Sequence, residues 1–144
     1  MKQPTSSIPA GTQLAMALAT ASYERCSAAP TFFRSFYNDF FARCPEAERH
    51  FANTDFERQA QLLRHAIRLL LRFPQLPRAE LSLVSRLAEH HSRRDLDIPP
   101  RLYPLFVDSL MATVRHYDTE FTPAIEEAWR ATLGPGVVYM QGRH

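Results

Sequence analysis

Three polar side chains fall where helical spacing predicts an apolar core, and their types bound the chemistry open to this chain. Tyr37 lies beside Phe33, Phe40 and Phe41 in a segment that also carries Phe32 and Phe36, so its hydroxyl needs a partner inside an aromatic surface. Gln59 falls one turn before Leu63, within the stripe Phe56, Ala60, Leu63, Ile67 and Leu70. An amide buried there without a partner is costly. His91 shares a face with Val84, Leu87 and Ala88, while its neighbour His90 is rotated toward Arg86 and Arg93. Each position has a plain structural reading: a tyrosine bonded to a carbonyl, a glutamine at the stripe's edge reaching water, a satisfied core histidine. Together they also have a chemical one, in which a ligating imidazole faces phenol and amide donors across an apolar space. No HExxH, acidic cluster or second histidine at i+4 supports a metal site built from protein alone. GxSxG, Walker and Rossmann glycine patterns are missing too, so hydrolase, NTPase and dehydrogenase chemistry has no residues to carry it.

Helices must hold these side chains. Glycine is scarce, at 4 residues, and β-branched residues do not alternate, so sheet folds are disfavoured. Prolines cut the 144 residues into helical blocks. The spacing predicts a flexible tail over 1–11 and one domain over 12–144. Within that domain helices are expected over 12–27, from Pro30 to about residue 43, from Asp55 over 58–72, over 78–94, over 101–117, and from Thr122-Pro123 to near Gln141. A short turn over 45–51 and a corner at Asp97-Ile98-Pro99-Pro100 join them. A net charge of +2 is too even for a dedicated nucleic-acid or membrane-surface binder, and no apolar run is long enough to span a bilayer. Cys26 and Cys44 stand alone, without CxxC or CxxCH, which fits a reducing cytoplasm and excludes covalent c-type haem attachment. Lys2, the apolar residues 14–18 and Ala19-Thr20-Ala21 have the outline of a leader. The stretch is short and continues into Tyr23-Glu24-Arg25, so an ordinary first helix is expected.

An imidazole, an aromatic cleft and opposing hydrogen-bond donors are what a buried haem needs. Here the sequence resembles a known family, the bacterial single-domain globins and the haem domain of flavohaemoglobins. The resemblance rests on Phe36-Tyr37-Asn38-Asp39-Phe40-Phe41 followed by Pro45 and Phe51, on Gln59-Ala60-Gln61-Leu62-Leu63, and on Leu87-Ala88-Glu89-His90-His91 with Pro100-Arg101-Leu102-Tyr103. Ala128-Trp129 extends it, so that it covers roughly residues 12–142.

The resemblance implies an all-α, globin-like fold of about six to eight helices around a non-covalent haem b, with the fourth helix short or missing. It implies His91 as the iron ligand, ahead of His90. Tyr37 and Gln59 would form the distal pair, Leu63 a distal wall and Phe51 the ring on the porphyrin. Phe36 would also contact the cofactor, Leu87 would cover the proximal side, and Tyr103 would lie near His91. Two departures argue against an electron push on the iron. No acidic residue follows Glu127, leaving Gln141 and His144 at the end of the last helix, and Gly134-Pro135-Gly136 is expected to interrupt that helix.

The implied function is reversible binding of oxygen, with nitric oxide and carbon monoxide as further gaseous ligands. The alternative is a nitric oxide dioxygenase component. These residues carry no flavin or nicotinamide pattern, so that alternative calls for a separate reductase; the sixteen arginines against one lysine read as genome composition and a solvated surface, with docking of an acidic reductase as the lesser alternative. A third reading is a haem-free helical interaction module.

Overall fold

Prolines and capping side chains set the helix boundaries. The computed structural model describes residues 8–50, 55–75 and 99–142. Among the described residues the structure is all-α: α1 (Ala10–Ser27), α2 (Phe32–Arg43), α3 (Pro45–His50), α4 (Phe56–Arg72), α5 (Tyr103–Tyr117) and α6 (Pro123–Gln141). Single 3-10 turns occupy Phe73–Gln75 and Pro100–Leu102. The helix expected over 78–94 lies outside the described residues.

Helix α2 begins two residues later than Pro30 suggested. The Phe32 N–H bonds the Ala29 carbonyl at 3.2 Å, which places Pro30 inside a turn rather than in the helix. The same helix stops at Arg43 because Pro45 disfavours helical backbone at Cys44, which leaves the helical region at φ −141 and ψ 82. The Asp55 carboxylate caps α4 by accepting the Glu57 N–H at 3.0 Å. Thr122 Oγ1 accepts the Ile125 N–H at 3.2 Å, and Pro123 opens α6.

The expected interruption of the last helix is corrected by the structure, because α6 runs through Pro135 to Gln141 without a break. Gly136 sits at a close approach between helices. A Cβ there would lie 2.5 Å from Leu70 Cδ2, so glycine lets α6 approach α4 closely. Helix α1 packs along α6, and α2 along α5. Phe32, Phe36, Ile67, Leu110, Trp129 and Leu133 are enclosed between these layers. Each such side chain stabilises the fold by roughly 1.5–3 kcal/mol.

A polar clasp joins the far ends of the chain. Asp118, just beyond α5, has a fully buried carboxylate. It accepts the Ser22 hydroxyl at 2.6 Å, Arg25 Nε at 2.6 Å, Arg25 Nη2 at 2.9 Å and the Glu120 N–H at 2.9 Å. Trp129 Nε1 in turn donates to Ser22 Oγ at 2.9 Å. Burial by itself raises the Asp118 carboxyl, but the bonds from Arg25, Ser22 and the Glu120 N–H overcome it and hold the group at about 2.

Candidate functional site

A cleft opens where α2, α4, α5 and α6 converge. It encloses about 630 Å³ of empty space, counting the part open to solvent. Phe36, Tyr37 and Phe40 face it from α2, because residues three and four apart share one side of a helix. The rings of Phe36 and Phe40 stack at 5.6 Å, and Phe106 of α5 meets them edge-on at 5.1 and 6.0 Å. Leu63, Ala66 and Leu70 line it from α4, and Val137 and Met140 from α6.

Polar side chains interrupt this apolar lining. Tyr37 and Gln59 are each only 5% exposed, and both face the cleft. Tyr37 is wedged among Phe36, Phe41 and Phe56 at 5.1, 5.6 and 5.9 Å. Its hydroxyl lies 3.5 Å from the Gln59 backbone carbonyl, at the outer limit of a hydrogen bond. Burial raises the Tyr37 phenol well above the usual tyrosine range, and the Gln59 side chain counteracts part of the effect. The phenol therefore keeps its proton at neutral pH and is available as a donor. Tyr103 opens α5 against the same cleft, and burial pushes its phenol up to about 12.

Of the residues expected at the site, Phe36, Tyr37, Gln59, Leu63 and Tyr103 come together around this one cleft. Phe51, Leu87, His91 and the alternative His90 lie outside the described residues. Gln141 donates from its side chain to the Pro100 carbonyl at 3.2 Å, tying the end of α6 to the turn before Tyr103. The sequence reading passed over Phe40, Phe106, Val137 and Met140 as lining residues. The signal was there in the spacing: Phe40 is one turn after Phe36, Phe106 three residues after Tyr103, and Met140 three after Val137. Among the described residues, no group of three or more His, Cys, Asp or Glu side chains could hold a metal ion.

Residues 34–140 match the Globin family. The chain belongs to the globin family. A solved globin-like structure from Pseudomonas aeruginosa PAO1, reported as structurally highly homologous to a human haemoglobin, superposes with a TM-score of 0.83 at 33% identity. The match covers 90% of this globin and 97% of that chain. Comparison with curated proteins gave no match. Among the described residues of this globin, no helix is long and apolar enough to cross a membrane.

Proposed function

We propose that this globin holds a haem b in the cleft between α2, α4, α5 and α6 and binds oxygen reversibly, with nitric oxide and carbon monoxide as further ligands. One observation carries the reading. Two buried polar side chains from different helices, Tyr37 and Gln59, stand side by side on a cleft that is otherwise aromatic and aliphatic. Such a lining suits a flat apolar ring system, and the paired donors suit a small polar ligand on one side of it. By family resemblance, His91 is the iron's protein ligand. A bound haem supplies a ferrous iron that takes up diatomic gases.

The chain's own residues do the rest. Phe36, Phe40 and Phe106 exclude water from the cleft and pack on apolar surface. Tyr37 donates from its protonated phenol to the polar ligand, and Gln59 orients that phenol. A hydrogen bond to a charged acceptor contributes about 1.5–3 kcal/mol, so the Tyr37 donor slows oxygen release by roughly 10- to 100-fold. Carbon monoxide, a poorer acceptor, gains much less.

Stopped-flow oxygen release from the haem-loaded chain tests this. Tyr37→Phe should speed release by at least about tenfold on the same arithmetic, and carbon monoxide release should change little. An unchanged oxygen off-rate would remove Tyr37 from the ligand's surroundings. His91→Gly should abolish stable haem retention while His90→Ala should not, and the reverse pattern would exchange their roles. Sustained nitrate production from nitric oxide with an added reductase would replace reversible binding by dioxygenation.

A further inference from the structure

A second hollow lies back to back with the cleft. On the outer side of the α2–α4 crossing, a groove of about 770 Å³, including its open part, is lined by Phe33 and Arg34 from α2 and by Phe56, Ala60 and Arg64 from α4. Two guanidiniums each cover a ring of the opposite helix. Arg34 of α2 sits over Phe56 of α4 at 4.0 Å, and Arg64 of α4 sits over Phe33 of α2 at 4.6 Å. Among the described residues neither arginine has a carboxylate within ion-pair distance, although Glu57 lines the same groove. The ring contacts help to hold both side chains in place.

At this crossing the Phe56 ring on the groove side and the Tyr37 ring on the cleft side separate the two hollows. The Phe56 ring meets the groove on one side and the edge of Tyr37, 5.9 Å away, on the other. Tyr37 and Gln59 line the inner cleft, while Ala60, next in sequence to Gln59, lines the groove. Ala60 offers only a methyl group, so on the groove side the aromatic ring of Phe56 is the bulkier obstacle.

We infer that Phe56, held by Arg34 and braced by the reciprocal Arg64–Phe33 contact, is the side-chain gate through which a diatomic ligand passes between the outer groove and the cleft. The inference rests on the gas-binding reading above and adds the route. A gate has a kinetic signature that a ligand-stabilising residue lacks. It lies on the path and not at its end, so opening it scales association and dissociation by the same factor and leaves affinity unchanged. Tyr37, by contrast, acts on the bound ligand and shifts affinity through release.

The test is flash photolysis of the carbon monoxide complex of the haem-loaded full chain, together with carbon monoxide release. Arg34→Ala and Arg64→Ala should each raise both rates by about 2- to 5-fold, the strength of an exposed cation–π contact expressed as a ratio. Phe56→Ala should raise both further, Phe56→Trp should lower both, and the affinity should stay constant throughout. Hydrogen exchange supplies a readout independent of ligand: amides in the first two turns of α4 should exchange about 2- to 5-fold faster in Arg34→Ala. Unchanged rates in both Phe56 variants, or an altered affinity, would make Phe56 part of the wall and overturn the gate. Unchanged exchange in Arg34→Ala would overturn the restraining role of the arginine. If Tyr37→Phe alters oxygen release while the Phe56 variants change nothing, the gate alone falls. If the chain takes up no hemin, the gate falls with the gas-binding reading.

Discussion

The clasp around Asp118 and the cleft around Tyr37 both bury polar side chains among aromatic ones, but only the cleft sets them beside open space. In the clasp, Trp129 donates to Ser22, Ser22 donates to Asp118, and Arg25 adds two further bonds to the same carboxylate. In the cleft, the Tyr37 hydroxyl donates to the Gln59 carbonyl at 3.5 Å, and open space lies beside it. A closed polar network serves the fold. A buried polar pair that borders a cavity can also meet a ligand. The clasp should therefore respond to mutation in stability and the cleft in ligand chemistry, with little exchange between the two.

The largest expected effect belongs to the clasp. Asp118→Ala leaves Arg25 and Ser22 without their acceptor and should cost about 3 kcal/mol in urea unfolding, the lower end of the range for a broken buried pair. The lower end applies because the Arg25 side chain keeps 28% of its exposure. Oxygen release from the folded fraction should be unchanged; a large change there would erase the distinction between the two regions.

Acid provides a gentler probe of the same group. The folded Asp118 titrates at about 2, below the roughly 3.9 of an unfolded aspartate. Its contribution is fully present above about pH 4 and is lost as pH falls toward 2, because the unfolded chain binds the proton first. Asp118→Asn should flatten the stability profile across that window, and a profile as steep as that of the native chain would assign the acid sensitivity elsewhere.

Gly136→Ala sharpens the comparison from the cleft side. The new methyl meets Leu70, which lines the cleft, so overpacking of about 1–3 kcal/mol is expected, accompanied by weaker hemin uptake. Loss of stability with hemin uptake intact would mean that Leu70 yields away from the cleft. Ser22→Ala should have a smaller effect, about 1–2 kcal/mol, from the indole N–H of Trp129 left unpartnered, and no effect on ligand release.

What the sequence made legible divides along the same line. Helix limits follow from neighbours in the chain: Pro45 stops α2, Asp55 and Thr122 cap α4 and α6, and all three can be seen without a structure. Gln59 and Tyr37 were conspicuous because they break an apolar stripe, and both do face the cleft. The clasp was invisible, since Ser22 and Asp118 stand 96 residues apart and each looks ordinary in its own segment. The continuity of α6 through Pro135 was equally hidden, because a proline inside a helical stretch ordinarily kinks or breaks it. The Arg34–Phe56 and Arg64–Phe33 pairs escaped because each joins two helices.

Titration of the purified full chain with hemin, followed by visible absorption, reaches the central claim most directly. A cleft that receives the porphyrin should give a saturable uptake at one equivalent per chain, an intense blue-violet band, and a shift of that band when carbon monoxide is added to the reduced form. Uptake that never saturates, or a spectrum identical to free hemin, would contradict the account.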